Sequence, residues 1–136
     1  MQIEIVRSYN KDVPSWQSCF DNLNESMINN EQIKHDNFGY FVSHSAHKIK
    51  EVKLVLDELK FTIGHLYINI NAQGEGFGRH KDDDDVFFWQ VQGKTLWLFD
   101  DGTKYLLELG DLIKVPRQTY HTVISLSARA GISMSR

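Results

Sequence analysis

The chain has 136 residues, of which 41% are hydrophobic and 12% are aromatic, and its formal net charge is -3. This composition predicts one folded domain with a buried core and argues against an intrinsically disordered chain. No basic stripe is present to bind nucleic acid, and no apolar run approaches the length of a membrane span. Because Cys19 is the only cysteine, an internal disulfide and a thiolate zinc site are excluded, and a cytoplasmic protein is expected.

The N-terminal part of the chain begins with a short alternating segment over residues 3–6, which predicts an edge strand. Ser15 follows a proline and is the expected N-cap of a first helix. That helix is predicted to run from Trp16 to about Ile28, because its apolar residues recur at spacings of three and four.

A second helix is predicted after Ser45, its expected N-cap, with one apolar stripe along its length. The stripe consists of Ile49, Val52, Val55, Leu56 and Leu59. The short apolar run over 38–42 is strand-like. No linker or repeat divides the chain, so residues 1–136 are interpreted as a single domain. Residues 1–60 are predicted to form a helical cover on a β-rich core at 61–136.

From Phe61 onward the apolar residues recur with a period of two, which is typical of β-strands. The predicted strands cover residues 66–70, 86–91, 95–99, 105–109, 112–115, 120–126 and 129–134. Strands at intervals of about eight to twelve residues indicate a mainly β sandwich or barrel. The two helices would cover one face or one open end of it.

A His-x-Asp pair, His80 and Asp82, is followed at a distance by a second histidine, His121. Two imidazoles and one carboxylate are the ligand set of a non-haem iron(II) centre, in which they occupy one face of the metal. The alternative is an acidic, solvated loop, since residues 82–85 are four consecutive aspartates beside an ordinary histidine.

Three further features favour the metal site over the solvated loop. Glycines at 74, 76 and 78 let the backbone turn tightly just before His80. Pro116 provides a rigid turn before His121. Arg129 shares one face of the last predicted strand with Gly131 and Ser133, where a guanidinium could bind the distal carboxylate of a keto acid.

The sequence resembles a known family in the segments that carry these residues. Gly74-x5-His80-x-Asp82 with Gly93, and Gly110-x5-Pro116-x4-His121, resemble the two cupin motifs. The His-x-Asp form is similar to the JmjC-type branch, which contains iron(II)- and 2-oxoglutarate-dependent hydroxylases. Residues 85–97 resemble the Asp-Val-Phe-x-x-Gln-Val-x-Gly-x-x-x-Trp segment of those hydroxylases. Residues 116–121 resemble their Pro-Arg-Gly-x-x-His turn, with Gln118 in the place of the glycine.

This resemblance, which covers about residues 62–134, implies a cupin or double-stranded β-helix (jelly-roll) fold, with the two N-terminal helices covering the sheet. It also implies that His80, Asp82 and His121 bind Fe(II), and that 2-oxoglutarate chelates the metal as co-substrate. Cupins with a fourth ligand have Glu where this chain has Val86, so a three-ligand site is expected.

The expected contacts to 2-oxoglutarate depart from the family pattern. Thr95 stands where many JmjC-type hydroxylases have the lysine that binds the co-substrate, and Lys94 has the opposite strand parity. Arg129 is therefore predicted to replace that lysine, with Thr95 and Tyr67 as hydroxyl donors to the same carboxylate. Ser133, on the face of Arg129, is a further candidate, and Lys94 remains the alternative cation.

The function implied is oxygenation of an unidentified substrate, either a small molecule or a protein or peptide. Two alternatives stay open: a cupin-like module that holds a metal or ligand without oxidative turnover, and a cupin metalloenzyme that does not use 2-oxoglutarate.

An open-ended β-helix exposes strand edges that need cover, which is consistent with a homodimer. Trp89 and Trp97 are interpreted as packing residues, and His65 as a surface or packed residue.

Overall fold

The computed structural model describes residues 2–29, 33–35, 39–71, 74–75 and 78–136. Two residues of the predicted features, Phe38 and Gly76, lie outside the described residues. The elements in chain order are β1 (Glu4–Val6), α1 (Trp16–Ile28), β2 (Ile33–His35), β3 (Tyr40–Ser43), a 3-10 turn (Ala46–Lys48), α2 (Lys50–Leu59), β4 (Ile63–Asn69), β5 (Gly74–Glu75), β6 (Val86–Gln92), β7 (Thr95–Phe99), β8 (Lys104–Leu107), β9 (Leu112–Val115), β10 (His121–Ser125) and β11 (Arg129–Ser135).

The strands form two antiparallel sheets. One has seven strands in the order β1-β9-β6-β11-β4-β3-β2, and the other has four in the order β5-β10-β7-β8. Sheet neighbours are mostly distant in sequence: β11 lies between β4 and β6, and β10 lies between β5 and β7. Two sheets wound in this order form a double-stranded β-helix, or jelly roll. The predicted mainly β, cupin-like fold is confirmed.

The N-terminal segment provides two helices and three strands. The predicted edge strand is β1, which pairs with β9 at one margin of the large sheet. The first helix begins and ends as the sequence predicts: Ser15 is its N-cap, and the Ser15 side chain accepts a hydrogen bond from the backbone N–H of Ser18. Neither helix in the described part of the chain has the length and hydrophobicity needed to cross a membrane.

The predicted start of the second helix at Ser45 is wrong. Ser45 makes no side-chain capping bond, and a 3-10 turn over Ala46–Lys48 separates it from α2, which begins at Lys50. The Ser45 carbonyl accepts hydrogen bonds both from the Lys48 N–H, at 3.0 Å, and from the buried Asn22 side chain, at 3.0 Å. These two bonds hold a tight turn that buries Ala46 against the sheet, so the helix starts one turn later.

The large sheet has two differently packed faces. The helices cover its outer face, where side chains of β4, β6 and β11 form the main hydrophobic core with α1 and α2. The inner face meets the four-stranded sheet around a second core that includes Phe88, Trp97 and Phe99. On β11 the even-numbered side chains point toward the helices, and Arg129 and Ser133 point into the space between the sheets. The candidate site lies in that space.

Asp111 ties the N-terminal segment to the turn between β8 and β9. Its side chain is 6% exposed and forms an ion pair with Arg7 at 2.8 Å. The backbone N–H groups of Ser8 and Glu108 each donate to it at 2.9 Å. Burial by itself raises the pKa of Asp111, but these backbone bonds and Arg7 outweigh it and hold the pKa below its usual range. The carboxylate therefore stabilises the folded state.

Replacing Asp111 with alanine should lower the free energy of unfolding by about 2–4 kcal/mol, because two backbone donors and Arg7 lose their acceptor. The stabilisation is fully present above the ordinary carboxyl pKa of about 4 and is lost as the pH falls through the lower folded-state pKa. Urea unfolding of both proteins from pH 7 to pH 3 measures this difference, which should shrink at the acid end. The exposed ion-pair variant Asp57→Ala is the control, with an expected change below about 0.5 kcal/mol.

Candidate metal centre and adjoining pocket

His80 and His121 are held side by side by their own backbones. The His80 N–H donates to the His121 carbonyl at 3.0 Å, and the His121 N–H donates to the His80 carbonyl at 2.8 Å. The ring centroids lie 4.4 Å apart. Gly78, at φ 72°, takes the left-handed conformation that brings the chain into this bridge. Two residues far apart in sequence thus present their imidazoles to one point.

The hydrogen bonds of the two rings decide which nitrogen is available. Nδ1 of His80 lies 2.8 Å from the Gly78 carbonyl, and Nδ1 of His121 lies 2.8 Å from the Thr119 carbonyl. A carbonyl only accepts, so Nδ1 carries the proton in each ring and Nε2 keeps its lone pair. Asp82 Oδ2 lies 3.9 Å from Nε2 of His80 and 3.5 Å from Nε2 of His121. Carbonyl-oriented imidazoles of this kind are typical of metal ligands.

His121 is 3% exposed in its side chain and is the most enclosed member of the group. Burial lowers its pKa, and the neighbouring His80 lowers it further, against the opposing effects of the Thr119 carbonyl and Asp82. The ring is therefore neutral near pH 7, which is the form that binds a metal. The ligand atoms of His80, Asp82 and His121 lie within 4.8 Å of one another, and within the described ranges no other group of three or more His, Cys, Asp or Glu side chains is so close.

The four consecutive aspartates have different roles. Only Asp82 faces the histidines. Asp83 accepts from the Gln118 side chain at 3.1 Å, and Asp85 accepts from the Arg117 backbone N–H at 2.9 Å. These bonds join the aspartate loop to the turn that leads into His121. Asp84 is exposed and lies on the solvent side of the loop.

A pocket opens beside the three candidate ligands, between the two sheets. Its wall is formed by Tyr40, Tyr67, His80, Asp82, Val86, Phe88, Trp97, His121, Val123, Arg129 and Ser133. Trp97 stacks on the His121 ring, with centroids 5.5 Å apart and planes at 19°. Phe88 meets Trp97 edge to face at 5.1 Å. The candidate metal site is therefore at the polar end of a largely aromatic cavity.

Among the pocket-lining residues named above, Arg129 is the one lysine or arginine, and it is 1% exposed. Its Nε donates to Ser125 Oγ at 3.2 Å, and it also has a side-chain hydrogen bond with Tyr40. Its Nη1 has no hydrogen-bond partner among the described residues, and none of their carboxylates lies within ion-pair distance. Burial lowers the pKa of Arg129, which Tyr40 and Tyr67 partly oppose. A buried guanidinium without a counter-ion is costly, and an anionic ligand would remove that cost.

Tyr67 lies beside Arg129 in the wall and keeps its proton. Burial, together with Tyr40 and Asp82, raises its pKa to about 12, although Arg129 acts in the opposite direction. A protonated phenol at this place can donate a hydrogen bond to a carboxylate.

The structure brings some of the predicted co-substrate residues to the pocket and leaves others outside it. Arg129, Tyr67 and Ser133 line it together with the histidines and Asp82. Thr95 does not line it: its hydroxyl is buried, donates to Gln90 Oε1 at 2.8 Å and accepts from Trp97 Nε1 at 3.1 Å. Lys94 is exposed at the turn between β6 and β7 and does not reach the pocket.

Tyr40 is the pocket residue that sequence reasoning missed. It lies on β3, whose register places Tyr40 opposite Asn69, and Asn69 is in turn opposite Arg129 on β11. These three residues therefore form one row across three strands. The alternation of residues 40–42 shows that Tyr40 shares a face with Val42, but only the pairing with β4 shows that this face is the inner one.

Comparison with known proteins rests on structure alone, since no family model and no curated protein sequence matches the chain. YcfD, a ribosomal oxygenase from Escherichia coli, matches in complex with cobalt and succinic acid at a TM-score of 0.75 and 14% identity, over 98% of this chain and 48% of that chain. The chain shares the fold of that structure. YcfD with cobalt and 2-oxoglutarate matches at a TM-score of 0.74 and 12% identity, over 98% and 47% of the two chains.

The present chain thus spans about half the length of the YcfD structures. KdgF from Halomonas sp. matches less closely, at a TM-score of 0.55 and 17% identity, over 79% of this chain and 91% of that chain. At these identities the comparisons establish the shared fold.

Proposed function

We propose that this protein is an Fe(II)- and 2-oxoglutarate-dependent oxygenase that hydroxylates a small-molecule or peptide substrate. The observation that carries the proposal is a buried Arg129 in the same pocket as His80, Asp82 and His121, with an Nη1 that has no hydrogen-bond partner in the described part of the chain. A metal-binding group and a buried anion-binding group in one cavity suit a ligand that has both a chelating end and a carboxylate end.

The donor set fits a divalent iron centre. Two imidazoles and one carboxyl group occupy one side of the site, and this set is characteristic of iron(II) oxygenases. Val86 lines the pocket where other cupins have a glutamate ligand, and its side chain cannot bind a metal. A three-ligand site leaves coordination positions free for a co-substrate.

The far end of the pocket fits the distal carboxylate of 2-oxoglutarate. Arg129 would form a charge-assisted hydrogen bond through Nη1, and Tyr67 would donate from its hydroxyl. Tyr40 and Ser125 hold the guanidinium in place from either side. The keto-acid end would then face the His–Asp–His group.

When bound, iron(II) with 2-oxoglutarate supplies oxygen activation coupled to decarboxylation of the co-substrate. The residues of the chain itself orient the two histidine rings and form an apolar wall. Nδ1 of each histidine is fixed by a backbone carbonyl, so both Nε2 atoms point at one position. Phe88, Trp97 and Val123 give an apolar wall to the pocket that also contains Arg129 and the candidate ligands. An enclosed apolar wall strengthens the charged contacts inside it.

The proposal is tested by anaerobic addition of Fe(II) and then 2-oxoglutarate to the purified protein. A weak visible charge-transfer band is expected only when both are present, with Fe(II) plus succinate as the matched control. Metal binding without the band would contradict the oxygenase assignment. It would favour a cupin-like metal-binding module or a cupin enzyme that does not use 2-oxoglutarate.

A further inference from the structure

Gln118 has a backbone conformation that its residue type disfavours. It lies at φ 61°, in the left-handed region, where glycine is the usual residue and a side chain is unfavourable. The turn that this segment resembles has glycine at the corresponding position. A residue kept in an unfavourable conformation calls for a compensating contact.

Two hydrogen bonds join Gln118 to the loop that carries Asp82. Its backbone N–H donates to the Asp82 carbonyl at 2.8 Å. Its side-chain Nε2 donates to Asp83 Oδ1 at 3.1 Å. The left-handed backbone of Gln118 directs both groups toward the same loop. Glycine would keep the first bond and lose the second.

The Asp82 carboxylate depends on this support. Its side chain is 39% exposed, and no N–H or O–H of the described residues donates a hydrogen bond to it, since the facing histidine nitrogens are the Nε2 atoms at 3.9 Å and 3.5 Å, which keep their lone pairs. The position of the Asp82 carboxylate is therefore determined by the backbone conformation of residues 82–83. The same turn continues to Thr119, whose carbonyl orients His121. Gln118 thus stands between the two halves of the candidate ligand set.

We propose that Gln118 is a positioning residue of the metal centre, which holds the Asp82 carboxylate in register with His121 through its bond to Asp83. This role rests on the proposed function only in assuming that His80, Asp82 and His121 bind a divalent metal. It does not depend on 2-oxoglutarate. If Gln118 served only the stability of the turn, replacing it with glycine would stabilise the protein and nothing would be lost. If Gln118 positions Asp82, the same replacement should stabilise the protein and lower its metal affinity, so the two quantities change in opposite directions.

The experiment is anaerobic titration of the full chain with Co(II), followed by its visible ligand-field absorption, together with thermal unfolding of the metal-free protein. Gln118→Gly should melt at the same or a higher temperature than wild type. Its Co(II) affinity should fall by about three- to tenfold. This is at or below the low end of the loss of metal affinity expected when a group that supports a metal ligand is removed. The Co(II) spectrum should change as well, because the carboxylate is less well fixed.

Lys60→Gly is the matched control, because Lys60 also lies at φ 61° and is the C-cap of α2, away from the pocket. It should gain similar stability and keep wild-type Co(II) affinity. Asp83→Ala should reproduce the loss of affinity seen in Gln118→Gly. Asp83→Asn, which retains an acceptor oxygen and removes the charge, should restore most of it.

Wild-type Co(II) affinity and spectrum in Gln118→Gly would overturn the positioning role and leave the proposed oxygenase function standing. If Asp83→Asn binds Co(II) no better than Asp83→Ala, the positioning role is also overturned. The loss of Co(II) affinity would then come from the lost charge of Asp83 and not from its hydrogen bond with Gln118. A wild-type chain that binds no Co(II) would overturn both proposals. A missing 2-oxoglutarate band in a chain that binds Co(II) normally would remove only the oxygenase assignment.

Discussion

Replacing Asp82 with alanine should lower the affinity for Co(II) and Fe(II) by more than about 100-fold, which exceeds the loss expected from removing a group that merely supports a ligand. Of the carboxylates that the structure describes, only Asp82 has an oxygen near both Nε2 atoms, at 3.9 Å and 3.5 Å. No neighbouring aspartate can substitute for it, since Asp83 and Asp85 are bound to the turn over residues 116–119. The measurement is anaerobic calorimetric or spectroscopic titration of the metal.

The matched control is Asp84→Ala, which removes one charge from the same run at an exposed position. Its metal affinity should stay within about threefold of wild type, since exposed charges at this distance interact weakly in water. The metal-free Asp82→Ala protein should unfold within about 0.5 kcal/mol of wild type, because the side chain is partly exposed. Retained metal binding in Asp82→Ala would show that the cluster is not a metal site.

Replacing Arg129 with methionine should weaken 2-oxoglutarate binding at least about 100-fold, because the distal carboxylate would enter a buried wall without its cation. The same change should leave the metal-free protein as stable as wild type or about 1–4 kcal/mol more stable. The reason is that Arg129 is buried and that, within the ranges the structure describes, its Nη1 has no partner and no carboxylate lies within ion-pair distance. Opposite effects on stability and on ligand affinity are the signature of a binding residue.

Anaerobic titration of the Fe(II)-loaded variant with 2-oxoglutarate, together with urea unfolding of the metal-free form, measures both effects. Arg129→Lys should bind with intermediate affinity, since it keeps the charge but loses the planar fork. Arg79→Met is the control, because Arg79 is exposed and pairs with Asp100 at 2.5 Å on the surface. Wild-type 2-oxoglutarate affinity in Arg129→Met would overturn the assignment of Arg129 as the group that binds the distal carboxylate.

Elements with a clear local period were predictable. The first helix has its apolar spacing and its Ser15 cap within one segment, so its start and end follow from local rules. The second helix has an equally clear stripe, but its start depends on the contact between Asn22 and the Ser45 carbonyl. That contact joins residues 23 positions apart, and no local pattern reports it.

The candidate site divides in the same way. His80, Asp82 and His121 were predicted from residue type and spacing, and the structure places them together, while their metal-binding role stays a prediction. Strand parity correctly separated Arg129 and Ser133 from the helix-facing residues of β11. Parity did not show that the Thr95 hydroxyl would bond to Gln90, because that bond crosses from one sheet to the other. Trp97, which donates to the same hydroxyl, lies on the same strand as Thr95.

The sequence by itself determined the strand periods, the first helix and the chemical types gathered near residues 80–82 and 121, because each depends on neighbours a few positions away. Tertiary structure decided which of those groups share a cavity. It turned both Nε2 atoms inward through backbone carbonyls, placed Tyr40 in a row with Arg129, and put no carboxylate of the described residues within ion-pair distance of the Arg129 guanidinium. These features arise from pairing between distant strands. The period and spacing of residues along one strand do not show which strands it pairs with.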